Sequence, residues 1–183
     1  MITPQIIQRF QQISYFYNHQ QYAQVCSVFD SSLSSRLIPV EIWLMYAISL
    51  RRIGHLDLSK KNFILALQVY PKHAGLHNSF GNLLLEMNLP KEALEHFQQV
   101  SALEPANSDG FYNSARAYLQ MNEYAHAFAV AKQANTLNPS DINIALVLAD
   151  ALVGCQRLAE AEQLFTRLLT SFPTNIKLLN NFG

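Results

Sequence analysis

The chain has 183 residues, half of them hydrophobic, enough to bury a continuous core. Thirteen Lys and Arg balance thirteen Asp and Glu, so the basic excess of a nucleic-acid binder is missing. No run of about 18 apolar residues is present to span a membrane, and Cys26 and Cys155 are too few and too far apart for a disulfide framework or a zinc pattern. Residues 1–5, Met-Ile-Thr-Pro-Gln, lack the basic and apolar pattern of a signal peptide. The expectation is a cytoplasmic protein that binds neither membrane nor nucleic acid. Its polar character comes from amides, with fourteen Asn and fourteen Gln against 14% charged residues.

Residues 4–39 predict a degenerate helical hairpin. Tyr22 and Ala23 match a pattern repeated later in the chain, as does Phe29, but Arg9 and Gln12 occupy positions that should be apolar. Such a unit suits an N-terminal cap whose outer face meets water. Beyond it the chain is periodic. Pro71, Pro105, Pro139 and Pro173 lie 34 residues apart, and proline, which lacks an amide donor, ends helices. With each proline set at position 32, the units are 40–73, 74–107, 108–141 and 142–175. In each, a first helix A covers roughly positions 1–14 and a second helix B roughly 18–31.

The unit 40–73 carries large residues, Trp43, Tyr46 and Leu50, around small Ala47, and turns at Gly54-His55. The unit 74–107 has Gly81 in the place of Ala47 and turns at Asn88-Leu-Pro90. Its Ala93, Leu94, Phe97 and Val100 make one apolar helix stripe. The unit 108–141 repeats the arrangement with Phe111, Ala115, Tyr118 and Ala127, and Ser140-Asp141 is placed to cap the helix that follows. The unit 142–175 supplies Ala149, Ala161 and Phe165. Position 20 is small throughout (Ser59, Ala93, Ala127, Ala161), and position 24 reads Phe63, Phe97, Ala131 and Phe165. Small faces large across each hairpin, which permits close packing. Residues 176–183 begin a sixth unit, since Asn180-Asn-Phe-Gly183 repeats Asn78-Ser-Phe-Gly81. The apolar face of 159–172, with Leu164, Phe165 and Leu168, is therefore expected to be exposed.

A 34-residue period with these phased positions resembles the tetratricopeptide repeat family over essentially the whole chain. The resemblance implies an all-α fold, a right-handed superhelical α-solenoid of helix-turn-helix hairpins, as a single array over 1–183.

The residues offer little for catalysis, and neither a catalytic residue, a metal nor a cofactor is expected. His73 and His77 are four apart, a spacing open to zinc on a helix, but His73 falls in a linker and His77 at a packing position. No glycine-rich phosphate loop or nucleophile motif is present. Neither cysteine has a sequence neighbour that would lower its pKa.

Function is then expected from the surface of stacked A helices. The family resemblance directs positions 2, 5, 6, 9, 12 and 13 of helix A into a concave groove. That groove would contain an apolar zone of Leu44, Met45 and Ile48, then Asn78, Asn82, Tyr112, Asn113, Arg116, Asn143 and Asn180. A side-chain amide both donates and accepts hydrogen bonds, so the asparagine row suits an extended peptide, like the asparagine ladders of some family members. The family's carboxylate clamp is matched at only two of its five positions: Asn82 and Asn113 are present, but Asn78, Asn143 and Val147 stand where cations belong. The leading expectation is a non-catalytic protein-interaction scaffold holding a peptide or protein segment. Two others are an N-terminal targeting module of a larger enzyme, such as a transferase, continuing past residue 183, and a homo-oligomer formed through an uncapped C-terminal repeat edge.

Overall fold

A computed structural model describes residues 3–29 and 37–171. The fold is all-α, with no strand among the described residues. Five helices lie in a compact unit within residues 1–88: α1 (Pro4–Asn18), α2 (Tyr22–Val28), α3 (Val40–Arg52), α4 (Leu56–Val69) and α5 (Ala74–Glu86). Five lie in a second compact unit within 89–183: α6 (Pro90–Leu103), α7 (Asp109–Gln120), α8 (Tyr124–Leu137), α9 (Ile142–Gly154) and α10 (Leu158–Ser171). Inside each unit, consecutive helices pack against one another, and A helices also touch: α1 with α3, α3 with α5, and α7 with α9. No helix among the described residues is long and apolar enough to cross a membrane.

One backbone device makes every A-to-B turn. Gln20, Gly54, Asn88, Asn122 and Gln156 all have φ between 58° and 84°, in the left-handed region. These residues are again 34 apart. Around Gly54, the His55 N–H donates to the Leu50 carbonyl at 2.9 Å and the Gly54 N–H to the Arg51 carbonyl at 3.1 Å. The same pair of bonds recurs from Gln21 and Gln20, from Glu123 and Asn122, and from Arg157 and Gln156. They satisfy the last carbonyls of the A helix and reverse the chain. Helix starts are also capped. The Leu76 N–H donates to His73 Nδ1 at 3.1 Å at the start of α5, and the Asn143 N–H to Asp141 Oδ1 at 2.8 Å at the start of α9.

The small positions are where helices touch. In the 1–88 unit, Ala47 and Ser59 are fully buried, and the Ser59 hydroxyl donates to the Ala47 carbonyl at 2.7 Å. Phe63 stacks on Phe80 with centroids 5.4 Å apart. In the 89–183 unit, Ala93, Ala115, Ala127 and Ala149 are all fully buried, as is Phe97. Ala131, which stands where the other units carry Phe, packs in a core with Ala145, Leu148, Ala149 and Leu152. The expected exposure of Phe165 and Leu168 does not hold. Both are buried in that same core, against α9 residues, and Leu164 is half-buried beside them.

The first hairpin departs from the others. Ile13 and Val25 fill its two small positions and are fully buried, whereas Arg9 and Gln12 are exposed. Helix α2 has only seven residues, and Phe29 leaves it in an extended conformation. The Phe29 ring then stacks on Tyr46 at 3.7 Å and meets Trp43 at 5.7 Å. Trp43 is only 3% exposed, and its indole Nε1 has no hydrogen-bond partner among the described residues.

Candidate functional site

The expected binding residues fall on both units, which are taken in turn. In the 1–88 unit, Leu44, Met45 and Ile48 are half-buried on α3, with Glu41 and Arg52 exposed at its ends. Leu44 approaches the start of α5, where a methyl on Gly75 would sit 3.9 Å from its Cδ1. Arg51 Nε lies 3.5 Å from Glu86 Oε2 and links α3 to α5. Asn78 and Asn82 are half-buried on α5. Asn82 Nδ2 donates to the Asn78 carbonyl at 2.9 Å, so one of its donors is turned back on its own helix. Leu85, assigned to the groove by its repeat position, is buried.

In the 89–183 unit, three residues of α7 form a cluster. Arg116 Nη1 donates to Asn113 Oδ1 at 2.8 Å, and the guanidinium lies 5.7 Å from the Tyr112 ring centroid. Asn113 is buried, whereas Tyr112 and Arg116 are half-buried. The arrangement orients a cation on a helix face, since i, i+3 and i, i+4 neighbours support it. On α9, Asn143 is exposed, but its backbone N–H and its Nδ2 both point to Asp141 Oδ1, at 2.8 and 3.2 Å. It belongs to the helix cap. Leu146 is buried, while Asp150 and Val153 are exposed. Asn180, with Lys177 and Asn181, lies outside the described residues.

The histidine pair has local roles: His73 caps α5, and His77 Nε2 donates to the Pro71 carbonyl at 2.9 Å. Partial burial pushes the Cys26 thiol pKa up, which favours the thiol over the thiolate. Although Asp150 is exposed as a residue, partial desolvation of its carboxyl raises the pKa from its ordinary value. The formal neutrality of the chain is a sum of unlike halves. Residues 1–88 carry seven Lys and Arg against four Asp and Glu, and residues 89–183 carry six against nine.

Helical hairpins set at a 34-residue interval, with small residues at each helix contact, place the chain among helical-repeat proteins. Tetratricopeptide repeat models match residues 78–142 and 122–180, together more than half of the chain, and the chain belongs to that family. Three solved structures show the same fold at low identity. MamA from Desulfovibrio magneticus (residues 41 to the end) is 17% identical and has a TM-score of 0.84, with 93% of this chain and 96% of that one covered. A second MamA structure is 16% identical, covers 88% of each chain and has a TM-score of 0.78. A tetratricopeptide repeat protein from Parabacteroides merdae is 16% identical with a TM-score of 0.80, over 93% of this chain and 70% of its own. A comparison with curated protein sequences finds no match.

Proposed function

We propose that the chain is a non-catalytic scaffold that holds a protein or peptide segment on the faces of its A helices. The observation that carries this reading is the α7 cluster, in which Tyr112, Asn113 and Arg116 are held together on a partly open face. Asn78 and Asn82 supply amides on the face of α5, and Leu44, Met45 and Ile48 supply an apolar area on α3. Amides and an oriented guanidinium match the carbonyls and N–H groups of an extended backbone, while half-buried aliphatic side chains take apolar ones. Asn143 contributes less, because its donors are turned to Asp141. The reading places the protein in the cytoplasm, where the two free thiols, Cys26 and Cys155, persist.

Two variants test the proposal, Asn78→Ala with Asn82→Ala in one unit and Asn113→Ala with Arg116→Ala in the other. Each is expected to weaken capture of a partner while helical content and melting temperature stay near those of the parent. Undiminished capture by both variants refutes it.

A further inference from the structure

Tyr124 opens α8, and its ring lies directly over Gly154, the last residue of α9. A methyl group on residue 154 would run into the ring carbons, so only glycine admits it there. At its far end the phenol donates to Asn122 Oδ1 at 2.9 Å. The ring is thus fixed at both ends, yet 36% of the residue stays exposed. Among the described residues, Tyr124, Asp150, Val153, Gly154 and Phe165 line one open notch of about 490 Å³. Asp150 is the charged group in that lining, and it makes no hydrogen bond or ion pair with any described residue. The adjoining hollow on Tyr124 differs: its carboxylate, Glu123, lies 3.1 Å from His126 Nδ1.

The repeat itself supplies a comparison. At the position of Asp150 the other full units carry Ile48, Asn82 and Arg116. At the position of Gly154 they carry Arg52, Glu86 and Gln120, and at that of Tyr124 they carry Leu56, Pro90 and Leu158. Asp150 and Gly154 therefore depart from the other units within one notch, where Tyr124 shares its residue type with Tyr22 of the first hairpin. An aromatic face beside a carboxylate is the arrangement that receives a cation, with apolar walls for its aliphatic stem. The excess of nine carboxylates over six cations in residues 89–183 adds a favourable field.

We propose that this notch takes the Arg or Lys side chain of a polypeptide partner, with the cation between the Tyr124 ring and the Asp150 carboxylate. The inference rests on the reading that the chain holds a polypeptide, but it uses none of Asn78, Asn82, Asn113 or Arg116. The probe is the peptide acetyl-Ala-Ala-Arg-Ala-Ala-amide, compared with its citrulline counterpart, which has the same shape without the charge. Titrated into the isotope-labelled chain at low salt, the arginine peptide is expected to shift the Val153 and Gly154 amide resonances saturably, and the citrulline peptide to leave them unmoved. Asp150→Asn and Tyr124→Leu each weaken the apparent affinity roughly tenfold. Asp150 is exposed, so its variant keeps the fold, whereas Glu123→Gln leaves binding unchanged. Equal shifts from both peptides, wild-type affinity in Asp150→Asn, or loss of binding in Glu123→Gln overturns the proposal. Amide variants that still capture partners, beside an arginine titration that behaves as stated, refute the amide reading and leave this site standing.

Discussion

Gly110 lies in the first turn of α7, where α6 passes closest. A methyl added there would stand 2.7 Å from the Ser101 backbone nitrogen and 3.0 Å from the Phe97 carbonyl oxygen, besides running into Ser101 Oγ. The hydroxyl can rotate away, but the two backbone atoms are fixed in the interior of α6. Gly110→Ala therefore forces α6 and α7 apart along a contact that buries Phe97 and Ala115. Overpacking of this kind costs about 1–3 kcal/mol, and the better helix propensity of alanine offsets about 0.5–1 kcal/mol of it. The expected net loss centres on about 1 kcal/mol, a fall in melting temperature of about 2–4 °C for a chain of this size. Gly75→Ala is the matched comparison near the start of α5. Its methyl would meet only side-chain atoms, His73 Cε1 at 3.1 Å and Leu44 Cδ1 at 3.9 Å, and it should change stability by less than about 0.5 kcal/mol. Thermal and urea unfolding followed by circular dichroism give both values. A Gly110→Ala chain as stable as the parent, or two glycine variants that cannot be told apart, would refute the close approach of α6 to α7.

The left-handed turn residues give a second expectation: Gln156→Gly, which removes a side chain from φ 59°, should stabilise by about 0.5–1 kcal/mol, and a lower urea midpoint would count against the turn geometry. A third concerns pH. Partial desolvation raises the Asp150 carboxyl pKa from its ordinary value in the folded chain, so between its ordinary and its folded pKa the native state binds more protons than the unfolded one. Stability contributed by this residue therefore falls as pH rises through that window. Asp150→Asn should melt higher than the parent at neutral pH, with the gap closing as the pH is taken below the ordinary aspartate pKa. A gap that is constant with pH, or of opposite sign, would show that the carboxyl is not desolvated.

Much of the fold was legible because a solenoid writes each structural need once per repeat. The prolines after the B helices, and the small residues Ala47, Gly81, Ala115 and Ala149, are chemically alike at each recurrence. The turn residues recur just as regularly, but only Gly54 and Asn88 were legible as turns; Gln20, Asn122 and Gln156 share with them a backbone conformation rather than a turn-forming side-chain type. The binding faces were harder to read. Repeat position says which way a side chain leaves the helix, not what it then bonds to. Asn82 turns to its own backbone and Asn143 to Asp141, both short-range choices open to any asparagine. Leu85 and Leu146, placed in the groove by position, are buried. The expectation of an exposed Phe165 failed because it treated α10 as a bare edge, whereas its apolar side reaches α9. The charge division between residues 1–88 and 89–183 vanished in a whole-chain sum.

The burial of Trp43 has a practical consequence. It is the sole tryptophan of the chain, set in the interior of the 1–88 unit beside Phe29 and Tyr46. Its fluorescence therefore reports on that unit alone, with an emission maximum that shifts to longer wavelength when water reaches the indole. Circular dichroism averages all helices, so the two signals recorded on one sample measure whether the units melt together. Coincident transitions would mark one cooperative block, and separated ones would assign an order of unfolding without any labelled residue.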